Sequence, residues 1–342
     1  MHELLGKVAP CALNLVAPQH LIDQSDNPNI VQFVRSKIDL PQLQADDNLV
    51  AKIEPFHEKY NHHAAARIKQ ISSVYKELGE PDDLIIMICC KKFVPFLHLW
   101  FLSCQQNDIT VSNNTIVFTL DKVAETEVSA LGLKTYYFDN SIYQNAGNSN
   151  VFADFRFKST MFYKNAAILD ALKTGANVLF QDVDLIWLQN PVPKLRQSNS
   201  LSDIQIMFDG PNPRHYPYYA NTGFFYIRNT EYTHCLFETA HRNSSAIFKL
   251  GGHQPPLNRI MHHFAMHNLV NIKVLPETKF VNGHLFRLGN DINQKIKNYK
   301  SEAIVVHYSW TGNTQEKLQK LEKYDYFGIK IDKQLNSDLL IP

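Results

Sequence analysis

Two carboxylates, Asp182 and Asp184, stand two positions apart at the end of the apolar run Asn177-Val-Leu-Phe-Gln. Side chains alternate along a strand, so a strand ending there would present both acids on one side. Two hard anionic oxygens so placed suit Mn²⁺ or Mg²⁺. The bland alternative is a solvated Asp pair in a turn, and a bare Asp-x-Asp is common by chance. The apolar run before the pair, with Trp187 and Asn190-Pro191 after it, favours the ion.

Lys164 falls on an apolar helical stripe of Phe157, Met161, Ile168 and Leu172. An ammonium there needs an anion or an exit to water. Two readings stay open: snorkelling at the edge of the stripe, or a cation reaching a phosphate beside the acids. His307 follows the run Ala303–Val306, where a neutral imidazole would complete the coordination of the same ion. A lone histidine at a strand end is more often a structural hydrogen-bonder. The runs Asn177–Phe180 and Ala303–Val306 read as strands ending on the ligand side of one sheet, which would bring His307 to Asp184. His263 and His267 lie four apart on a helix, but Phe264 stands where a zinc protease carries Glu, and no third ligand is evident. That pair reads as structural, and His62 and His63 as surface residues.

The elements that must position these groups begin near Leu84. Strands are expected at Leu84–Cys89, Thr115–Leu120, Thr135–Phe138, Asn177–Phe180, Ile204–Phe208, Gly223–Ile227, Ile272–Leu275 and Ala303–Val306. Helices are expected at Phe93–Gln106, Val123–Leu131 and Phe157–Leu172. Strands alternating with helices of this length imply an α/β fold with a mostly parallel sheet. In open sheets of that kind, ligands bind beyond the carboxyl ends of the strands. Residues 1–80 read as an N-terminal helical extension, closed by Gly79-Glu80-Pro81-Asp82. The α/β domain spans 81–325, and 326–342 form a tail.

Composition narrows the class. The chain has 342 residues, 44% hydrophobic and 20% charged, which suits a packed globular protein rather than a disordered one. A formal charge of +1 provides no global field for nucleic acid or an anionic membrane. Five cysteines without Cys-x-x-Cys spacing argue against a disulfide framework and a structural zinc site. No signal peptide and no apolar run long enough to span a membrane is read, so a cytoplasmic or unanchored soluble protein is expected.

Four segments taken together resemble the nucleotide-diphospho-sugar transferases of glycosyltransferase family 77. They are Asn177 to Pro191, Tyr219-Ala-Asn221-Thr222-Gly223-Phe224-Phe225, Phe280-Val-Asn282-Gly283-His284, and Val306-His307-Tyr308-Ser309-Trp310. Their order and spacing fit over about residues 84–322. The resemblance implies a GT-A (Rossmann-like) fold, a divalent metal and sugar transfer from a nucleotide donor with retention of configuration. UDP-xylose, UDP-galactose and UDP-arabinose are the donors it suggests, with a glycan or glycoprotein as acceptor. It also allows a Golgi lumen location.

Residue by residue, the resemblance makes Asp182 and Asp184 the metal and diphosphate pair and His307 the third metal ligand. Lys164 and Lys317 become diphosphate contacts, and Asp121 a nucleoside contact. Asn221 and Gln254 sit at the transferred sugar, with Asn258 closing the Gln254 segment and Asp209 among the donor-binding residues. His253 is a departure, since relatives usually carry an acid there. Gln254 is a poor nucleophile, so a front-face route is expected, in which the departing phosphate oxygen takes the acceptor's proton.

Three rivals remain. A DxD-type phosphohydrolase would normally have Thr where Ile186 stands. An inert sugar-nucleotide or glycan-binding protein is motivated by His253. An inverting enzyme would need a carboxylate base, for which Asp209 is the motif-adjacent candidate.

Overall fold

The computed structural model describes residues 58, 60–138, 155–197, 202–212, 215, 217–285, 302–323 and 328–330. Most of the expected N-terminal extension and nearly all of the expected tail lie outside these residues.

Helix α1 (Ala64–Glu77) ends at Gly79, where φ is 81°. Glycine takes that left-handed backbone without a Cβ penalty, which stops the helix as the sequence implied. Strand β1 (Asp83–Cys89) is buried along its whole length, as a central parallel strand must be. A short 3₁₀ turn at Lys91–Phe93 leads into α2 (Val94–Gln106). Then come β2 (Thr115–Thr119), α3 (Lys122–Ala130), β3 (Lys134–Tyr137), α4 (Phe155–Leu172) and β4 (Asn177–Gln181). The chain continues through β5 (Leu185–Trp187), α5 (Pro191–Gln197), β6 (Ile204–Phe208) and β7 (Ala220–Ile227). Helix α6 (Glu231–Arg242) opens with a reciprocal cap between Thr230 and Thr233. After it follow α7 (Ser245–Leu250), α8 (Gln254–Met266), β8 (Ile272–Val274), β9 (Phe280–Asn282), β10 (Val305–His307) and α9 (Thr314–Lys323).

Seven strands form one sheet in the order β3-β2-β1-β4-β7-β6-β8. All neighbours in it are parallel except at β7, which runs against both β4 and β6. The expected α/β class and mostly parallel sheet are therefore present. Strand alternation divides the core. Leu84, Ile86 and Ile88 face one cluster with α4, α6 and α8, while Ile85, Met87 and Cys89 face another with α2.

The run ending at His307 departs from expectation. β10 is not in the large sheet. It pairs antiparallel with β5 and parallel with β9 in a separate three-stranded sheet. β5 and β9 were not anticipated as strands, because runs of three residues carry too little periodicity to recognise. This small sheet packs into the second cluster through Ile186, Trp187, Val281 and Val306, so His307 approaches the acids from an adjoining layer.

α1 is docked on the large domain rather than standing apart from it. Arg67 Nε donates to Asp170 Oδ2 at 2.6 Å, and Tyr60 Oη donates to Asp170 Oδ1 at 2.8 Å. Asp170 lies on α4 and is fully buried. The four described cysteines, Cys89, Cys90, Cys104 and Cys235, are buried free thiols.

Candidate active site

β4 ends at Gln181, one residue before the acid pair, so Asp182 and Asp184 lie in the connection to β5 rather than within a strand. Local braces hold that connection. Trp187 Nε1 donates to Gln181 Oε1 at 2.8 Å, and Ser103 Oγ accepts the Trp187 backbone N–H at 3.0 Å. The Trp187 ring meets Trp100 edge to face, with centroids 5.5 Å apart. Asp182 N donates to Gly223 O at 2.8 Å, and the Asp184 carbonyl accepts from Tyr308 N at 3.0 Å.

These braces bring the two carboxylates to one centre with His307. Its Nε2 lies 3.4 Å from Asp184 Oδ1 and 3.9 Å from Asp182 Oδ2. One ligand atom from each of Asp182, Asp184 and His307 falls within 4.8 Å of the others. Two carboxylate oxygens and one imidazole nitrogen are a donor set that fits Mn²⁺ or Mg²⁺. Gly223 makes the room. A Cβ there would overlap His307 Cε1 and lie 2.7 Å from Asp182 Oδ2. The pairing of β6 with β7 slips at this place, from Ile206↔Phe225 to Met207↔Asn221, and the irregularity lets Gly223 face the acids.

Two ammonium groups meet the same carboxylates. Lys164 Nζ pairs with Asp182 Oδ1, and Lys317 Nζ pairs with Asp184 Oδ2. Lys164 is thus a buried cation whose anionic partner is Asp182. Burial alone would raise the Asp184 pKa, but Lys317 and His307 outweigh it and hold the carboxyl well below its ordinary range.

A second polar knot adjoins the first and is centred on Asp209, at the carboxyl end of β6. Asp209 Oδ1 accepts from Asn221 Nδ2 at 2.6 Å, from Trp310 Nε1 at 2.9 Å and from Asn282 Nδ2 at 3.4 Å. Its Oδ2 accepts from Gln254 Nε2 at 2.7 Å. Gln254 Oε1 takes the Thr222 N–H at 3.1 Å, and Asn221 Oδ1 takes the Gly223 N–H at 2.8 Å. Asn258 clamps both backbone groups of Ala220, so α8 is registered against the start of β7. His253 is buried beside Thr222 O, and burial together with the charge of Lys164 lowers its pKa well below the usual histidine value.

Asp121 has a different setting. It ends β2 on the same edge of the sheet, but its carboxylate accepts from Lys91 N at 2.7 Å and caps α3 through Ala124 N at 2.8 Å. The structure brings together Lys164, Asp182, Asp184, His307 and Lys317, and beside them Asp209, Asn221 and Gln254. It does not join Asp121 to that group. Asn282 and Trp310 went unassigned in the sequence although both lie within the motif segments. Their partner Asp209 is remote in the chain, and no local pattern signals it. His263 and His267 meet edge to face with ring centroids 4.6 Å apart and belong to no described cluster of potential metal ligands.

Residues 110–321, more than half of the chain, match the family model described as nucleotide-diphospho-sugar transferase. A relative from Arabidopsis thaliana, described as an uncharacterised protein, is 28% identical over 133 residues, which is 39% of this chain and 39% of its own length. The chain therefore spans well under two thirds of that relative. Another from the same plant, named UDP-D-xylose:L-fucose alpha-1,3-D-xylosyltransferase 3, is 23% identical over 74% of this chain and 68% of its own length. Among solved structures, an active-site mutant of LgtC is 11% identical, with a TM-score of 0.49 over 74% of this chain and 99% of its own.

Proposed function

The chain belongs to the nucleotide-diphospho-sugar transferase family, and we propose that it moves a sugar from a UDP-linked donor to a hydroxyl of a glycan or glycoprotein with retention of configuration. The observation that carries this reading is the convergence of Asp182, Asp184 and His307 with Lys164 and Lys317. Two acids, a histidine and two ammonium groups in one buried centre suit a metal-bound diphosphate. The Asp-Asp-His group would hold the ion, Mn²⁺ or Mg²⁺. When bound, the ion supplies positive charge to the diphosphate as leaving group.

The residues of the chain account for the rest. Lys164 and Lys317 stand where negative charge grows as the anomeric carbon–oxygen bond breaks, so they favour the transition state over the ground state. Asn221 and Gln254 are held in fixed orientations by Asp209, ready to position a donor sugar. Asp209 itself is 5% exposed, and both of its oxygens already accept N–H bonds. That occupancy argues against its service as the base of an inverting reaction. A front-face route fits better: the bond to the acceptor oxygen forms on the face that the diphosphate leaves, and the phosphate oxygen takes the acceptor's proton. The xylosyltransferase relative makes UDP-xylose the first donor to test, ahead of UDP-galactose and UDP-arabinose.

The test is UDP calorimetry and acceptor-free hydrolysis of these three donors with Mn²⁺, repeated in EDTA. Binding and hydrolysis that require the metal, and that fall in Asp184→Asn, support the proposal. Absence of UDP binding, or turnover unchanged by EDTA, would overturn it.

A further inference from the structure

Trp100 and Trp187 are completely buried, whereas Trp310 is 37% exposed. Trp310 also has a φ of 59°, a left-handed backbone in which a bulky side chain is an outlier. Such conformations persist where the surroundings over-determine them, and they gather at ligand clamps. Three anchors do so here. The indole Nε1 donates to Asp209 Oδ1 at 2.9 Å, and the Trp310 carbonyl accepts from Lys320 Nζ at 2.8 Å. The third anchor precedes it: Gly283 N donates to Ser309 Oγ at 3.1 Å, and any Cβ on Gly283 would overlap the Ser309 carbonyl. Only glycine lets the end of β9 lie against the residue before Trp310.

Two of these anchors hold the indole N–H and the Trp310 carbonyl, and the third holds the side chain of the residue before it. The ring is thereby tied to the carboxylate that also holds Asn221 and Gln254. His284 flanks it, with ring centroids 6.4 Å apart. A rigid aromatic surface at the solvent side of a polar, amide-lined site matches the chemistry of a sugar ring. One face of a pyranose is a patch of C–H bonds carrying partial positive charge, and the face of an indole is its electrostatic complement.

We propose that Trp310 is the stacking platform of an acceptor-sugar subsite, on which a pyranosyl unit lies by its C–H face. The proposal rests on the glycosyltransferase reading above. The acceptor is the better occupant than the donor because of how exposure is graded. Asp184, His307, Lys164, Asp209 and Asn221 are all less than 10% exposed and the side chains of Asp182 and Lys317 are 25% and 15% exposed, while Trp310, at 37%, is the most open of the group.

The experiment compares Trp310→Phe with Trp310→Ala in the full chain. Both lose the indole N–H to Asp209, and only the second loses the ring. The probes are methyl glycosides of fucose, xylose, galactose and arabinose, titrated by calorimetry with and without UDP and Mn²⁺. At least one glycoside should bind the wild type and shift its tryptophan emission. Its dissociation constant should be roughly tenfold higher in Trp310→Ala than in Trp310→Phe, as expected for losing one aromatic stack. The two variants should have equal UDP affinities. Absence of binding by every glycoside to a wild type that binds UDP would overturn the proposal, as would equal glycoside affinities in the two variants. A lower UDP affinity in Trp310→Ala than in Trp310→Phe would assign the ring to the donor and also overturn it. A wild type that fails to bind UDP counts against the transferase reading, and is told apart by the titrations run without UDP.

Discussion

Replacing Gly223 by alanine is the smallest change aimed at the acid–histidine centre. Gly223 does not lie in the left-handed region, so alanine meets no backbone strain and its effect is the added methyl alone. That methyl would overlap His307 Cε1 and sit 2.7 Å from Asp182 Oδ2 and 3.0 Å from Asn221 Oδ1. Carbon contacts settle near 3.5–4.0 Å, so the imidazole must retreat by roughly 1 Å. It has little freedom to do so, because His307 is 2% exposed and its strand is paired on one side with Leu185 and on the other with Asn282. Overpacking of this kind costs about 1–3 kcal/mol of stability. Metal–ligand distances tolerate deviations of only about 0.2 Å. Mn²⁺ affinity should therefore fall by about 10–100-fold, the loss typical of a disturbed ligand shell. Calorimetric titration of Mn²⁺ measures this directly, and the rise in melting temperature on adding Mn²⁺ should shrink in parallel. Wild-type Mn²⁺ affinity in Gly223→Ala would refute the claim that this glycine makes room for His307 to close on the acids.

Three further outcomes are expected. Arg67→Ala leaves Asp170 buried without its cation, which should cost about 3–5 kcal/mol in a urea melt; a loss below about 1 kcal/mol would show that the α1 contact is dispensable. His253 is kept neutral in the folded chain by burial and by Lys164, whereas in the unfolded chain it protonates near pH 6.5. The unfolded state then binds the extra proton, so His253 contributes a loss of stability as pH falls below about 6.5 and none above it; His253→Gln should flatten that part of the slope, and superimposable profiles would refute the assignment. Burial pushes the Cys90 thiol up to about 12, with Asp121 adding to the effect, so at pH 8 it should resist a thiol reagent in the native protein and react once unfolded; rapid native labelling would contradict its buried placement.

The sequence by itself was enough for the central strands and for marking the acid pair as a candidate site. β1 is a continuous apolar run because both of its faces are covered, and such runs are visible one residue after another. Ile204–Phe208 has the same ends in sequence and structure, and other boundaries moved by a residue or a few. The Asp-x-Asp spacing, the misplaced lysine at 164 and the histidine after an apolar run are also local signals. Tertiary structure decided how these residues meet. β10 lies in its own small sheet, because the three-residue β5 and β9 acquire strand character only by pairing with it. Lys317 reaches Asp184 across 133 positions, and Trp310 reaches Asp209 across 101. Periodicity reports which face of an element is buried, but not which distant element covers it. The gathering of four N–H donors on Asp209, and the place where a missing Cβ at Gly223 leaves room for His307, follow from packing between segments that carry no mark of each other in the chain.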